Sequence, residues 1–391
     1  MLRTILYFII ILLFTSCSQI EDPSDYFGQP YPDSVPTIFA PGVISLEGRL
    51  EQGISFSPDN RELVFGTLGK KNLRGEIFYS KKDNDIWSEP EIFTPLKNIS
   101  VYLPYFSPNG KSILFSSPDI DDGENTNIWI IEKHKDLWVK PKILNSIINS
   151  NYREANASMT NDGVIYFSSN RNCNGKANCH TADLFCSKMV DKDYKSANVI
   201  TEFLSANDEE SVFISPNEDY IIFCRYSNDL TAVDLYISYR DVKNIWITPT
   251  LIDSTINSKD WDRRPFVSFD NKYLFFTRLR IEENELLESN IYWVNTSKLF
   301  KPFVFNSVQD LSVRIGKKFK IAIPKDYFKD INDQKLLYKV ELNDNRWLSF
   351  ERENMTLSGV PPAEGIYELI ITATDKNSNS TEDKIIITVN K

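Results

Sequence analysis

The chain has little of what most catalytic chemistry leans on. It holds only two histidines, His134 and His180, and no Gly-x-Ser-x-Gly run beside either, which argues against a Ser-His-Asp hydrolase. Glycine is sparse, at 14 in 391 residues, and no glycine loop is fit to cradle a phosphate. A basic excess is missing too. The net charge is -10 and the pI about 5.0, and neither favours nucleic acid, whose phosphates want a basic face. The longest apolar run near the start, Ile5 to Phe14, is shorter than the ~20 residues a membrane span needs. What is present is a packed globular composition, with 41% hydrophobic and 13% aromatic residues.

Five segments repeat one pattern: "ISFSPDNRELVFGT", "PYFSPNGKSILFSS", "ASMTNDGVIYFSS", "VFISPNEDYIIFCR" and "PFVSFDNKYLFFTR". Aligned on Ser57, Ser107, Thr160, Ser215 and Ser268, they recur at intervals of 50, 53, 55 and 53 residues. Each unit carries four strand signals. The first ends at the turn, the second is a short apolar run, the third reads like "EIFYS", and the fourth follows Trp-x-x-Pro, as in "WSEPEIF". Turn residues such as Pro, Asn, Asp and Gly separate the first two. A period near fifty built from strands predicts propeller blades. "FSPDNRELVF…EIFYS" resembles the WD40-like repeat of TolB-type propellers, over residues 36–302.

"PTIFAPGVIS" from Pro36 looks like a fourth strand without its first three. It is expected to complete the last blade and close the ring at five blades. A rival segment, Leu299–Phe305, also fits that slot and would require six.

At the start of the chain, Arg3, the apolar run and then Thr15-Ser16-Cys17 resemble the lipobox of bacterial lipoproteins. The resemblance implies a signal peptide over 1–17, acylation of Cys17, a tether over 18–35 and an outer-membrane address, on the periplasmic or the cell-surface side. From about Phe303 the period stops. "LSVRIGKKFKIAIP", "WLSFERENMTLSGVPP" and "GIYELIITATD" resemble the cadherin-like, dystroglycan-type Ig module, expected as a β-sandwich over 303–391. That resemblance implies calcium as a ligand, with Asp330, Asn332, Asp333 and Asp375 as candidate oxygens; an Asx-rich loop capping its own backbone is the alternative.

Six residues before each repeat Ser or Thr stand Glu51, Val101, Glu154, Glu209 and Asp262. Four carboxylates at one repeat position are candidates for a ring around the axis, with Arg153, Arg263 and Arg264 beside them to neutralise it. Three roles are open: a structural bond repeated in every blade, a ligand site, or glycosidase chemistry using carboxylates from different blades. Recurrence in nearly every blade favours the structural role. Cys173 and Cys179 bracket a loop and are expected to form a disulfide; the Cys-x5-Cys-His spacing matches no common zinc site. Cys186 and Cys224 fall at strand positions as small buried residues. Together these features favour an all-β, envelope-anchored binding or scaffolding module for a protein or glycan, rather than an enzyme. The alternative is a carbohydrate-active enzyme.

Overall fold

A computed structural model describes residues 25–391 apart from 71–73, 119–124, 174–181, 230, 284, 334 and 343–346. The described residues are strand, turn and three short 3-10 segments. Five four-stranded antiparallel units follow one another. The first blade uses Leu50–Phe56, Glu62–Leu68, Gly75–Asp83 and Glu91–Ile92. The next three repeat that order, with innermost strands Tyr102–Phe106, Glu154–Met159 and Glu209–Ile214. In the fifth, Trp261–Val267, Tyr273–Glu282 and Glu285–Asn295 supply three strands.

The fourth strand of that blade comes from the other end of the chain. Thr37 pairs with Trp293 and Ile38 with Tyr292, and the Phe39 amide donates to the Ile291 carbonyl at 2.8 Å. Phe39 is fully buried among Tyr26, Phe56, Phe275 and Trp293. The rival segment is used elsewhere: Phe303–Val304 pairs with Phe328–Lys329 of the following domain.

Each repeat Ser or Thr does one local job. Its hydroxyl accepts from the amide that opens the second strand: Glu62, Ser112, Val164, Tyr220 and Tyr273. The residue three further on, Asn60, Gly110, Gly163, Glu218 or Asn271, has positive φ, between 54° and 76°. Asn and Gly are the residues that enter that region most cheaply, which is why the turns read "SPDN" and "SPNG".

The last domain is a two-sheet sandwich. One sheet orders Leu311–Arg314, Ser380–Asn390, Gly365–Thr374 and Leu337–Leu342; the other orders Phe319–Ala322, Thr356–Gly359 and Leu348–Glu351. Leu357, Leu369, Ile371, Ile385 and Ile387 fill the space between. It is pinned to the propeller: Phe303 stacks on Tyr239 at 4.2 Å, Phe300 packs on Tyr220 at 4.9 Å, and the Asn379 amide donates to the Ser297 carbonyl at 2.8 Å.

Candidate functional site

The four repeat carboxylates do not line the axis. Each is bound to an arginine and to the loop that enters its blade. Glu51 pairs with Arg49 at 2.8 Å, Glu154 with Arg171 at 3.1 Å, Glu209 with Arg225 at 2.8 Å and Asp262 with Arg278 at 2.7 Å. Every one of these arginines also donates to a loop carbonyl: Ile44, Ile147, Phe203 or Ile256. Every one lies over two aromatic rings of its own blade, such as Phe223 and Tyr236 for Arg225 or Phe276 and Tyr292 for Arg278. The carboxylates in turn accept from Leu46, Ser150 and Ser258 amides or from the Ser205 hydroxyl. The unit is a staple. Blade two lacks both halves, with Val101 in the carboxylate place and Ser117 in the arginine place; there the Ser117 hydroxyl donates to the Ser100 carbonyl at 2.7 Å.

Burial pushes the Glu51, Glu209 and Asp262 carboxyls up, against the pull of their arginines, and Glu209 reaches about 7. A carboxyl near neutrality suits a glycosidase acid. Glu209 is nevertheless 1% exposed and held under its loop, so no substrate meets it there.

The axis is built by a different position. Two residues after each staple position the innermost strand carries a β-bulge, and the bulged residue has positive φ: Gly53 (68°), Leu103 (57°), Asn156 (57°), Ser211 (56°) and Arg264 (55°). A left-handed backbone costs a residue with a Cβ about 1–2 kcal/mol, and bulges re-aim side chains. The neighbouring blade holds some of these bulges in place: Thr277 accepts from the Gly53 amide at 2.8 Å and Ser116 from the Asn156 amide at 3.2 Å. Five equivalent backbone positions thus line one small cavity around the axis with Gly, Leu, Asn, Ser and Arg.

Beyond the bulges the axis is plugged. Tyr105, Phe213 and Phe266, from blades two, four and five, touch one another across it with ring centroids 5.6 to 6.4 Å apart. At the opposite end it opens into a pocket of about 360 Å³ lined by Gln52, Tyr102, Leu103, Arg153, Arg263 and Arg264 among others. Behind the arginines sits Glu210. Arg153 donates to its Oε1 at 2.6 Å and Arg263 to its Oε2 at 3.0 Å, while the Tyr226 hydroxyl reaches Oε2 at 3.4 Å. Burial raises the Glu210 carboxyl, but Arg153, Arg263 and Arg264 outweigh it and hold the group below its ordinary range. Arg263 lies 5.3 Å from the Tyr226 ring centroid and 5.9 Å from that of Trp261.

Of the residues singled out from sequence, Arg153, Arg263 and Arg264 are therefore at the pocket, and Glu51, Glu154, Glu209 and Asp262 are in the staples. The Ig-like domain's acidic residues bind backbone. Asp330 accepts from the Asn332 and Asp333 amides, Asp333 from Lys335 and Lys376, and Asp375 from Asn377 and Asn379. Asn332 donates to Thr296 of the propeller side at 2.8 Å. Among the described residues no three His, Cys, Asp or Glu side chains gather as a metal site. Cys17 and the pairing of Cys173 with Cys179 lie outside the described residues. Cys224 is buried and free, and Cys186 is free and half-buried.

Residues 301–390 match the family model described as "Putative Ig domain", and the C-terminal segment is an Ig-like domain. No curated protein matches the chain. Solved structures similar to it include an endo-arabinase from Bacteroides thetaiotaomicron (12% identity, 64% of this chain and 95% of that one, TM-score 0.43). Others are the catalytic domain of a GH62 α-L-arabinofuranosidase from Coprinopsis cinerea (9%, 67% and 97%, 0.43) and a thermostable family-43 glycoside hydrolase (12%, 63% and 95%, 0.42). These neighbours correct the sequence reading in one respect. It favoured a non-enzymatic binding or scaffolding module, and the neighbours are glycoside hydrolases, on the side of the carbohydrate-active alternative. At such identity and overlap the likeness concerns architecture, and the activities in those titles belong to those proteins.

Proposed function

We propose that this chain is a carbohydrate-active enzyme, held to a bacterial outer membrane through a lipid on Cys17, and that its sugar enters the axial pocket. The observation that carries this reading is the divergence of the bulge ring. The staples and turn hydroxyls repeat because they build blades. Gly53, Leu103, Asn156, Ser211 and Arg264 share a left-handed backbone yet no side-chain chemistry, and Leu103 and Arg264 carry that divergence into the pocket lining, as expected of positions that serve one asymmetric ligand. The pocket volume falls within the ~300–1,000 Å³ usual for small-molecule sites. Its lining sets the Tyr102 ring and leucine side chains beside the Gln52 amide and guanidinium donors, a mixture suited to a ring with apolar faces and hydroxyl edges.

Cleavage of a glycosidic bond passes through positive charge at the sugar carbon. Glu210 is ionised at neutral pH but stands outside the pocket lining, its oxygens taken by Arg153, Arg263 and Tyr226, so its part is to position the two arginines rather than to meet that charge. The test is sugar release from a panel of envelope and plant glycans, with wild type, Glu210→Gln and the remote Lys142→Ala compared. Release that is lost only in Glu210→Gln supports the reading. No release from any glycan, or release untouched by Glu210→Gln, sinks it.

A further inference from the structure

We infer that the axial pocket is built to hold the carboxylate of an acidic sugar, gripped by Arg153, Arg263 and Arg264; this rests on the carbohydrate reading above and narrows it to a substrate class. Three guanidiniums from two blades converge on one end of the axis. Glu210 is the carboxylate whose charge acts on all three. It satisfies one nitrogen each of Arg153 and Arg263 and leaves positive charge in excess. The Nε of Arg263 and both Nε and Nη1 of Arg264 are sealed from solvent with no hydrogen-bond partner. Buried donors without acceptors are costly, and charged ones most of all.

Arg264 bears two further burdens. It occupies the left-handed bulge position, where Gly53 stands in blade one. Its side chain also packs against Gly53 of the neighbouring blade: a Cβ at Gly53 would meet Arg264 Cδ at 3.6 Å and Cβ at 3.7 Å. Burial, and then the neighbouring Arg263, lower the Arg264 guanidinium to about 9, so it still carries its charge at neutral pH. Nothing in the blade requires an arginine here, since Leu, Asn, Ser and Gly fill the same place elsewhere. An incoming anion on the pocket side of Arg263 and Arg264 would relieve the repulsion between these like charges.

The anion's shape is indicated by Glu210 itself. Arg153 and Arg263 each take one of its two oxygens, at 2.6 and 3.0 Å, so the cluster already grips a planar carboxylate from two sides. A second carboxylate, on the ligand, would meet the pocket-facing sides of Arg153, Arg263 and Arg264. Leu68, Leu103, Leu279 and Leu286 line the same pocket on the side of the sugar's apolar face.

The test is calorimetric titration of the full chain with glucuronate, galacturonate, glucose and inorganic sulfate, repeated with Arg264→Gly. Glycine fits the bulge without strain, so this variant is expected to melt no lower than wild type, whereas a structural arginine would leave it less stable. Expected is binding of a uronate at least tenfold tighter than glucose, falling at least tenfold in Arg264→Gly. Equal binding of glucose and uronates would overturn the inference and leave the carbohydrate reading standing. Sulfate bound as tightly as a uronate would overturn both, by showing an anion site indifferent to sugar. Uronate binding unchanged in Arg264→Gly, or no binding of any probe, would also overturn the inference.

Discussion

Replacing Arg225 by alanine isolates one staple. The change removes the ion pair to Glu209 at 2.8 Å, the hydrogen bond to the Phe203 carbonyl at 3.0 Å, and the contacts with the Phe223 and Tyr236 rings. Stranding a buried charge by removing its partner costs about 3–5 kcal/mol, and the ring contacts add about 0.5–2 kcal/mol. Proton uptake limits the loss, because Glu209 already titrates at about 7 and can neutralise itself. A cost of roughly 3 kcal/mol at pH 8, smaller at pH 6, is therefore expected. Blade two supplies the control. There the chain itself writes valine for the carboxylate and serine for the arginine, and Val101 is fully buried in an apolar cluster with Phe93, Leu96 and Phe115. The double variant Glu209→Val, Arg225→Ser copies that blade and should cost less than Arg225→Ala alone. Urea unfolding followed by tryptophan fluorescence reads both, with Trp246 packed 5.8 Å from Phe203 as a local reporter. A loss under about 1 kcal/mol for the single change, or a double variant costlier than the single, would refute the idea that the pair works as one unit.

The latch gives a second expectation: Phe39→Ala should cost about 3–5 kcal/mol and broaden the unfolding transition, measured by urea titration, because a fully buried ring at the joint is lost. On pH, a folded-state carboxyl raised from 4.5 to about 7 makes the native protein bind a proton that the unfolded chain releases. Stability from Glu209 is thus greatest below the unfolded value and is lost as pH rises through about 7, by up to ~3 kcal/mol over the window. The difference in melting temperature between wild type and Glu209→Gln should therefore change between pH 5 and pH 8, and a constant difference would count against the shift. Cys17→Ser should abolish incorporation of labelled palmitate and release the protein from membrane pellets.

The propeller was readable because its period is enforced by turns whose chemistry is local. Ser57, Asn60 and their counterparts are needed for hydrogen bonds within five residues, so they recur in plain sight. The latch was readable for a similar reason, since Pro36–Ser45 imitates an outer strand. The axis was harder to place. Glu51 and Asp262 recur at one repeat position, but each turns to its own arginine and entering loop, and the axis is lined instead from the bulge two residues later. Two signals could have corrected this. Glycine and asparagine at Gly53 and Asn156 mark a left-handed position inside a strand. Arg171, Arg225 and Arg278 recur in the same blades as the carboxylates, and blade two lacks both together. Arg153, Glu210 and Arg264 carry no repeat signal at all, because what they form exists only where different blades meet.

The pairing of Thr37 with Trp293 also governs how the molecule comes into being. The stretch made first must wait, with Phe39 bare, until the final blade has been delivered. Contacts this distant in sequence slow folding and prolong exposure of sticky surface. Closure of the disc is therefore a late event in biogenesis, and a chain stalled before residue 295 is left as an open arc whose first and last sheets both offer an unprotected edge to whatever chaperone attends it.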